Sequence, residues 1–242
     1  MRANLSDENA HLLLACDTTQ GACSVALSRG NVVINDIVVP MSRGHAEALM
    51  PMIIGLLKEA DVAPDQLSRL AVTTGPGTFT GVRLGLAAQR AYAVALDLPL
   101  IGVPTMQAMA QGEAAEMPVF VAIDARRDEV YGQLFSAEKK PEGRAALTPP
   151  SVISRASLAQ NLPTEPFRVI GTGASFVQDV SSYAELSTAP VYPQALHVAR
   201  MAAAQSWEGL TSHHLPEPIY LRAADATLPN PNKRPAHAPV QA

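Results

Sequence analysis

Residues 12–28 read Leu-Leu-Leu-Ala-Cys-Asp-Thr-Thr-Gln-Gly-Ala-Cys-Ser-Val-Ala-Leu-Ser. The apolar run over 12–17, ended by Asp17, has the form of a buried strand. Residues 18–21 carry turn chemistry, and 22–28 resume as a returning strand. Arg29, Gly30 and Asn31 turn the chain again into a third strand over 32–39. The chain is therefore expected to open as an antiparallel meander with an acidic turn at its first bend.

Downstream the pattern changes. Residues 45–60 read as a helix, with Ser42 as its N-cap and Pro51 as a kink or its real start. Residues 69–73 read as a strand. A glycine-rich loop, "GPGTFTGVRLG" over 75–85, opens a helix reaching about Asp97, and 98–103 read as another strand. Strand, loop, helix and strand make a βαβ unit, so this part of the sheet is expected to be parallel.

The second half begins in the same way. Ala122-Ile123-Asp124 matches Ala15-Cys16-Asp17, and Leu134 lies as far beyond Asp124 as Leu27 lies beyond Asp17. The match predicts a duplicated fold. Residues 167–171 read as a strand leading to Gly171-Thr172-Gly173, and 195–209 as a helix. The segment after Arg222, rich in Pro, Asn and Ala, is expected to be unstructured.

Composition bounds the function. The chain has 242 residues, 48% hydrophobic and 17% charged, which is globular rather than disordered composition. Aromatic residues are only 5%, so aliphatic side chains must fill the core. A formal net charge of −4 argues against a broad nucleic-acid face. No apolar segment reaches the roughly 18 residues that cross a membrane, and the polar first ten residues do not read as a secretory leader. Cys16 and Cys23 are expected to pack on strands as reduced thiols, in a cytoplasmic setting.

Catalytic motifs are sparse. His11, His45, His197, His213, His214 and His237 form no chelating pair, so no metal site is expected. No GxSxG elbow is present. The Asp17 turn could hold a cation or phosphate, or its side chain could simply cap the turn. The loop glycines sit at 75, 77, 81 and 85, with Thr80 where a dinucleotide fingerprint needs its third glycine and Val82-Arg83 where a Walker loop needs Lys. Anion binding at the helix N-terminus stays open. Gly81 and Gly85 share a helix face with Ala88 and Tyr92, while Ala87, Ala91 and Ala95 form a second row. Each glycine costs a helix about 1 kcal/mol relative to alanine, so a close-packing role is expected. The first helix has the same apolar surplus: Leu49, Met50, Met52, Ile53, Ile54, Leu56 and Leu57 cover more than one stripe. The extra faces could meet a partner chain or another part of this one.

The segments "LACDTTQGACSVAL", "RGHAEALMPMI", "GPGTFTGVRLGL", "LPLIGVPT", "AIDARRDEVY", "VIGTG" and "PIYLR" occur in this order between residues 12 and 222. Together they resemble the TsaB, or YeaZ, family, and "GPGTFTGVRLG" is the most specific of them. The resemblance implies an α/β fold of the duplicated RNase H-like, actin-like (ASKHA) type, with two lobes that each carry a mixed sheet flanked by helices. The expected division is 1–103 for the first lobe, 104–222 for the second with its C-terminal helix packing back on the first, and 223–242 for the tail.

It further implies a non-catalytic scaffolding subunit. Its complex would add threonylcarbamoyl to N6 of the adenosine beside the anticodon, in tRNAs reading codons that start with A. The implied partners are the catalytic paralogue TsaD, which the chain would dock and activate, and the ATPase TsaE. tRNA is met only through the complex, and the chain alone is implied to pair with a second copy. Family helices matching 45–57 and 78–95 pack against TsaD, which marks His45, Leu49, Met52, Ile53, Leu56, Thr78, Phe79, Gly81, Val82, Gly85, Ala88 and Tyr92 as interface. A residual, degenerate nucleotide site would comprise Asp17, Thr18, Thr19, Asp124, Gly171 and Gly173. No cofactor is then expected to bind strongly to the chain alone, and ATP or ADP at the complex interface is left open. The paralogue's metal-binding histidines match Thr105 and Met109, which do not replace imidazoles. The rival reading is an ATP-binding small-molecule kinase or ATPase using Asp17 and Asp124. A metalloprotease is disfavoured by the missing histidine pair.

Overall fold

The computed structural model describes residues 11–222. β1 (Leu12–Asp17) pairs antiparallel with β2 (Ala22–Arg29), and β2 pairs antiparallel with β3 (Val32–Pro40), giving the expected meander. α1 (His45–Glu59), β4 (Arg69–Thr73), α2 (Phe79–Leu96) and β5 (Leu100–Val103) follow. β4 runs parallel to β1, and β5 parallel to β4, so the sheet order is β3-β2-β1-β4-β5. α1 is capped by Gly44 at φ 88°, not by Ser42. Glycine takes that left-handed backbone without steric cost. The helix runs on through Pro51, which is exposed along with Glu47. The carbonyl that Pro51 leaves without a partner is that of Glu47, four residues earlier.

The second half repeats this plan. α3 (Thr105–Gly112) leads to β6 (Val119–Arg126), β7 (Glu129–Lys140), β8 (Gly143–Ala146) and β9 (Ser151–Ser154). β10 (Phe167–Ile170), α4 (Ala174–Gln178), β11 (Ala184–Leu186) and α5 (Ala195–Ala203) complete it. The second sheet reads β8-β7-β6-β10-β11, the order of the first, with β9 added beside β7. The pairing senses also match: antiparallel within the meander, parallel from β6 to β10 to β11. Leu27 lies opposite Leu14, and Leu134 opposite Phe120, so the two spaced leucines hold similar ladder positions. This is the duplicated RNase H-like, or actin-like, fold.

Alternation along β1 sorts its residues to two faces. Leu12, Leu14 and Cys16 join α1 and α2 in one core cluster. Leu13 and Ala15 face α5 in another. In the second lobe, Phe120 and Ala122 pack with α4, and Val119, Val121 and Ile123 with α3. α3 and α5 touch each other between the sheets. α3 follows the first sheet yet covers the second, and α5 ends the second half yet covers the first.

α5 stops at Ala203, six residues short of the expected end. The Trp207 indole N–H donates to the Ala202 carbonyl, and Gly209 turns the chain at φ 73°. Cys16 and Cys23 are buried, and burial pushes their thiols up to about 12 and 11. Arg144, which no sequence pattern marks, is fully buried. It donates to six carbonyls, those of Ala110, Glu113, Ala115, Met117, Ser136 and Ala137, at 2.6–3.3 Å. It thereby pins the link between α3 and β6 to β7. Residues 223–242, expected to be unstructured, lie outside the described residues. Among the described residues no helix is long and apolar enough to cross a membrane.

Candidate functional site

Asp17 ends β1 with no exposed surface. Its Oδ1 accepts from the hydroxyls of Thr19 and Thr73, both at 2.6 Å, and from the Thr19 amide at 3.3 Å. Its Oδ2 is buried without a hydrogen-bond partner. Burial pushes the carboxyl up to about 6, against the pull of the Thr19 and Thr73 hydroxyls.

The loop over 75–81 closes over this turn. The Thr78 amide donates to the Thr19 carbonyl at 2.7 Å, and the Thr18 hydroxyl donates to the Gly81 carbonyl at 2.7 Å. The Thr78 hydroxyl accepts from the Gly81 amide at 3.1 Å and caps α2. A Cβ on Gly77 would stand 2.5 Å from the Thr19 carbonyl oxygen, and one on Gly85 2.8 Å from the Thr18 hydroxyl. A Cβ on Gly81 would overlap the Thr18 carbonyl. The glycines therefore let α2 sit on its own chain's acidic turn. The expected thinning is real, but Gly81 and Gly85 are thinned for Thr18 and not for another protein.

In the second lobe, the Asp124 amide donates to the Thr172 hydroxyl at 2.9 Å. Asp124 Oδ1 accepts from the Arg126 amide at 2.8 Å, and its Oδ2 lies 3.6 Å from the Arg126 guanidinium. The hairpin turns through Arg126, Arg127 and Asp128 at φ 63°, 57° and 57°, without glycine. Gly171, at φ 113°, and Gly173 rest on the Ala122 carbonyl.

Between the lobes lies a cleft of about 770 Å³. One lip carries His45, Thr78 and Thr80, the other Asp124, Arg126 and Thr172. Of the residues expected in a nucleotide site, Asp124 alone lines this cleft. Asp17, Thr18 and Thr19 are buried at 0–1% exposure, and Gly171 and Gly173 lie under the β6 turn. Thr105 and Met109 instead tie the structure together. The Thr105 hydroxyl accepts from the Gly75 backbone amide at 3.1 Å, and the Met109 sulfur from the Gln20 side-chain Nε2 at 3.2 Å. Among the described residues, no three His, Cys, Asp or Glu side chains converge as metal ligands.

The residues expected at a partner interface divide in two. Leu49, Ile53, Leu56 and Val82 belong to the first lobe's own core, and Gly81 and Gly85 are buried. Met52, Ala88 and Tyr92 are half-buried against that core. His45 is half-buried with its Nε2 2.9 Å from the Gln20 carbonyl, and Thr78 and Phe79 are exposed. The outward apolar rows are different ones. α1 exposes Met50 at 40% and Ile54 at 60%. α2 exposes Ala87, Ala91, Val94 and Ala95, with Val94 at 65%. α1 and α2 touch each other. Helical spacing revealed the surplus, but only packing shows which stripe the sheet takes.

The fold and site define an actin-like protein whose first acidic turn is sealed and whose outer helix pair is apolar. The family model for "TsaD: tRNA N6-adenosine threonylcarbamoyltransferase" matches residues 29–226. The tRNA threonylcarbamoyladenosine biosynthesis protein TsaB of Escherichia coli is 33% identical over 223 residues, covering 87% of this chain and 94% of that one. The protein of the same name from Bacillus subtilis is 34% identical over 124 residues, 51% of this chain and 54% of its own length. YeaZ from Pseudomonas aeruginosa superposes with a TM-score of 0.76 at 30% identity, over 87% of this chain and all of that one. The chain belongs to the TsaB (YeaZ) family.

Proposed function

We propose that this chain is a non-catalytic subunit of the machinery that makes threonylcarbamoyladenosine in tRNA, and that it docks and activates a TsaD partner. The observation that carries the reading is the apolar outer face of α1 and α2, with Met50, Ile54, Ala87, Ala91 and Val94 left uncovered. Exposed apolar patches of this kind mark protein interfaces. The sealed Asp17 supports the non-catalytic part, since a carboxylate without exposed surface cannot reach a metal or phosphate in the cleft. In this reading the complex forms in the cytoplasm, TsaE joins it, and tRNA is met only through it. The same face pairs two copies when the partner is absent.

Ile54→Arg and Val94→Arg put a charge on the outer face without touching the core. Each is expected to weaken binding to TsaD at least about 30-fold by calorimetry, the size of an interface hot spot. Undiminished affinity in both would refute the docking face.

The interlobe cleft favours a second reading, in which the chain binds ATP as a small-molecule kinase or ATPase. Calorimetry of the isolated chain with ATP and Mg²⁺ separates the two. Tight binding with hydrolysis, lost in Asp124→Ala at the cleft wall, supports the enzyme. No binding by the chain alone supports the scaffold, with any ATP or ADP held at the interface with TsaD.

A further inference from the structure

The C-terminal described segment belongs to neither sheet, yet it touches both lobes. Residues 212–222 run along α2 from its C-terminal to its N-terminal end. The Ser212 hydroxyl donates to Asp97 at 2.8 Å. Arg90 donates to the Pro216 carbonyl, and Pro216 fills the space that a side chain on Gly102 would need. The Ile219 amide donates to the Thr74 carbonyl at 2.7 Å, and the Ile219 carbonyl sits over Gly75. Arg83 Nε donates to the Tyr220 hydroxyl at 2.9 Å, and its guanidinium lies 3.4 Å from the Phe79 ring centroid. Tyr220 also stacks on Phe79, at 6.0 Å between ring centroids. Arg83 and Arg90 are thus two of the few strongly polar side chains of α2, and both hold this segment.

The next two residues cross to the second lobe. Leu221 packs in the cluster of Met106, Met109 and Ile123. Arg222 donates to the Ala125 carbonyl at 3.2 Å and forms an ion pair with Glu129. Residues 219–222 therefore tie the loop that carries one lip of the cleft, Thr78 and Thr80, to the hairpin that carries the other, Asp124 and Arg126.

We infer that residues 212–222 are a latch that fixes the aperture of the interlobe cleft, fastened by Tyr220 on the first lobe and Arg222 on the second. The anchors are of a releasable kind. Tyr220 is half exposed, and the Arg222–Glu129 pair keeps 25% and 33% of its side-chain surface. Partly exposed pairs contribute little individually, so the latch holds by their sum. This inference does not depend on the docking face.

Spin labels at Lys58→Cys and Asn161→Cys, both exposed and on opposite lobes, read the aperture in the full chain; the two native cysteines are buried. With the latch intact a narrow distance distribution is expected. Arg222→Ala should broaden it about twofold, as a freed hinge would. Glu129→Gln, which keeps the Ala125 contact, should give an intermediate width. Hydrogen exchange of the β1–β2 ladder should stay unchanged in both. An unchanged distribution overturns the latch. So does broadening accompanied by loss of ladder protection, which would mean general loosening.

Discussion

Asp17 shows how far a single residue could be read. The sequence places it at the end of a strand, in a turn with Thr18 and Thr19, and leaves capping and ligand binding both open. The structure resolves this through the loop over 75–81, which lies 56 or more residues away in the chain and closes on the turn. Its folded carboxyl, at about 6, lies above the ordinary 3.8, so the folded state takes up a proton before the unfolded state does. Stability from this group is therefore present at low pH and lost as pH rises through about 6. Relative to Asp17→Asn, the wild-type chain should gain up to about 3 kcal/mol as pH falls from 8 to 4. Urea unfolding of both proteins across that range checks it, and parallel stability curves would contradict it. The glycines make a second residue-scale test. Helix propensity favours alanine over glycine by about 1 kcal/mol. At Gly55 a new Cβ meets nothing within 4 Å, so Gly55→Ala should stabilise by about that amount. At Gly81 the Thr18 carbonyl stands in the way, and overpacking costs of about 1–3 kcal/mol should win, so Gly81→Ala should destabilise. Thermal denaturation reads both signs.

At the scale of the element, the meander and the βαβ unit were legible because period, turn residues and glycines agree locally. The ends of α1 and α5 were not. Gly44 replaces Ser42 as the cap because the chain enters α1 through a left-handed bend. Trp207 ends α5 by a contact five residues back, which no cap rule anticipates. β8 and β9 carry too few residues for a clear alternation, and both depend on β7 for their pairing. The stripes of α1 and α2 are the functional lesson. Both helices read as apolar on too many sides, and Met50, Ile54, Ala87 and Ala91 were visible as part of that surplus. The side facing the sheet is set by the register of β1 and β4, which periodicity alone does not contain. A charge on the outer stripe should leave folding intact, since Ile54 and Val94 are mostly exposed. Melting temperatures of Ile54→Arg and Val94→Arg within a few degrees of wild type would check this, whereas unfolding would return these residues to the core.

At the scale of the molecule, the duplication was legible from only two matched features, the strand-ending Asp and the spaced Leu. The full correspondence of strand order appears only in the sheets. The return of α5 to the first lobe was implied by the family resemblance and not by local pattern, and the crossing of α3 to the second sheet was not read at all, because each helix is chosen by a sheet distant in sequence. The exchange leaves α1 and α2 as the outer cover of the first sheet, and among the described residues Ile54 and Val94 stay mostly exposed. The central claim is that this cover is a docking face. Mass in solution tests it most directly, for the chain alone, with TsaD, and with Ile54→Arg in place of the wild-type chain. A complex of this chain with TsaD is expected for the wild type and separate species for the variant. A complex of equal mass and stability with the variant would contradict the account.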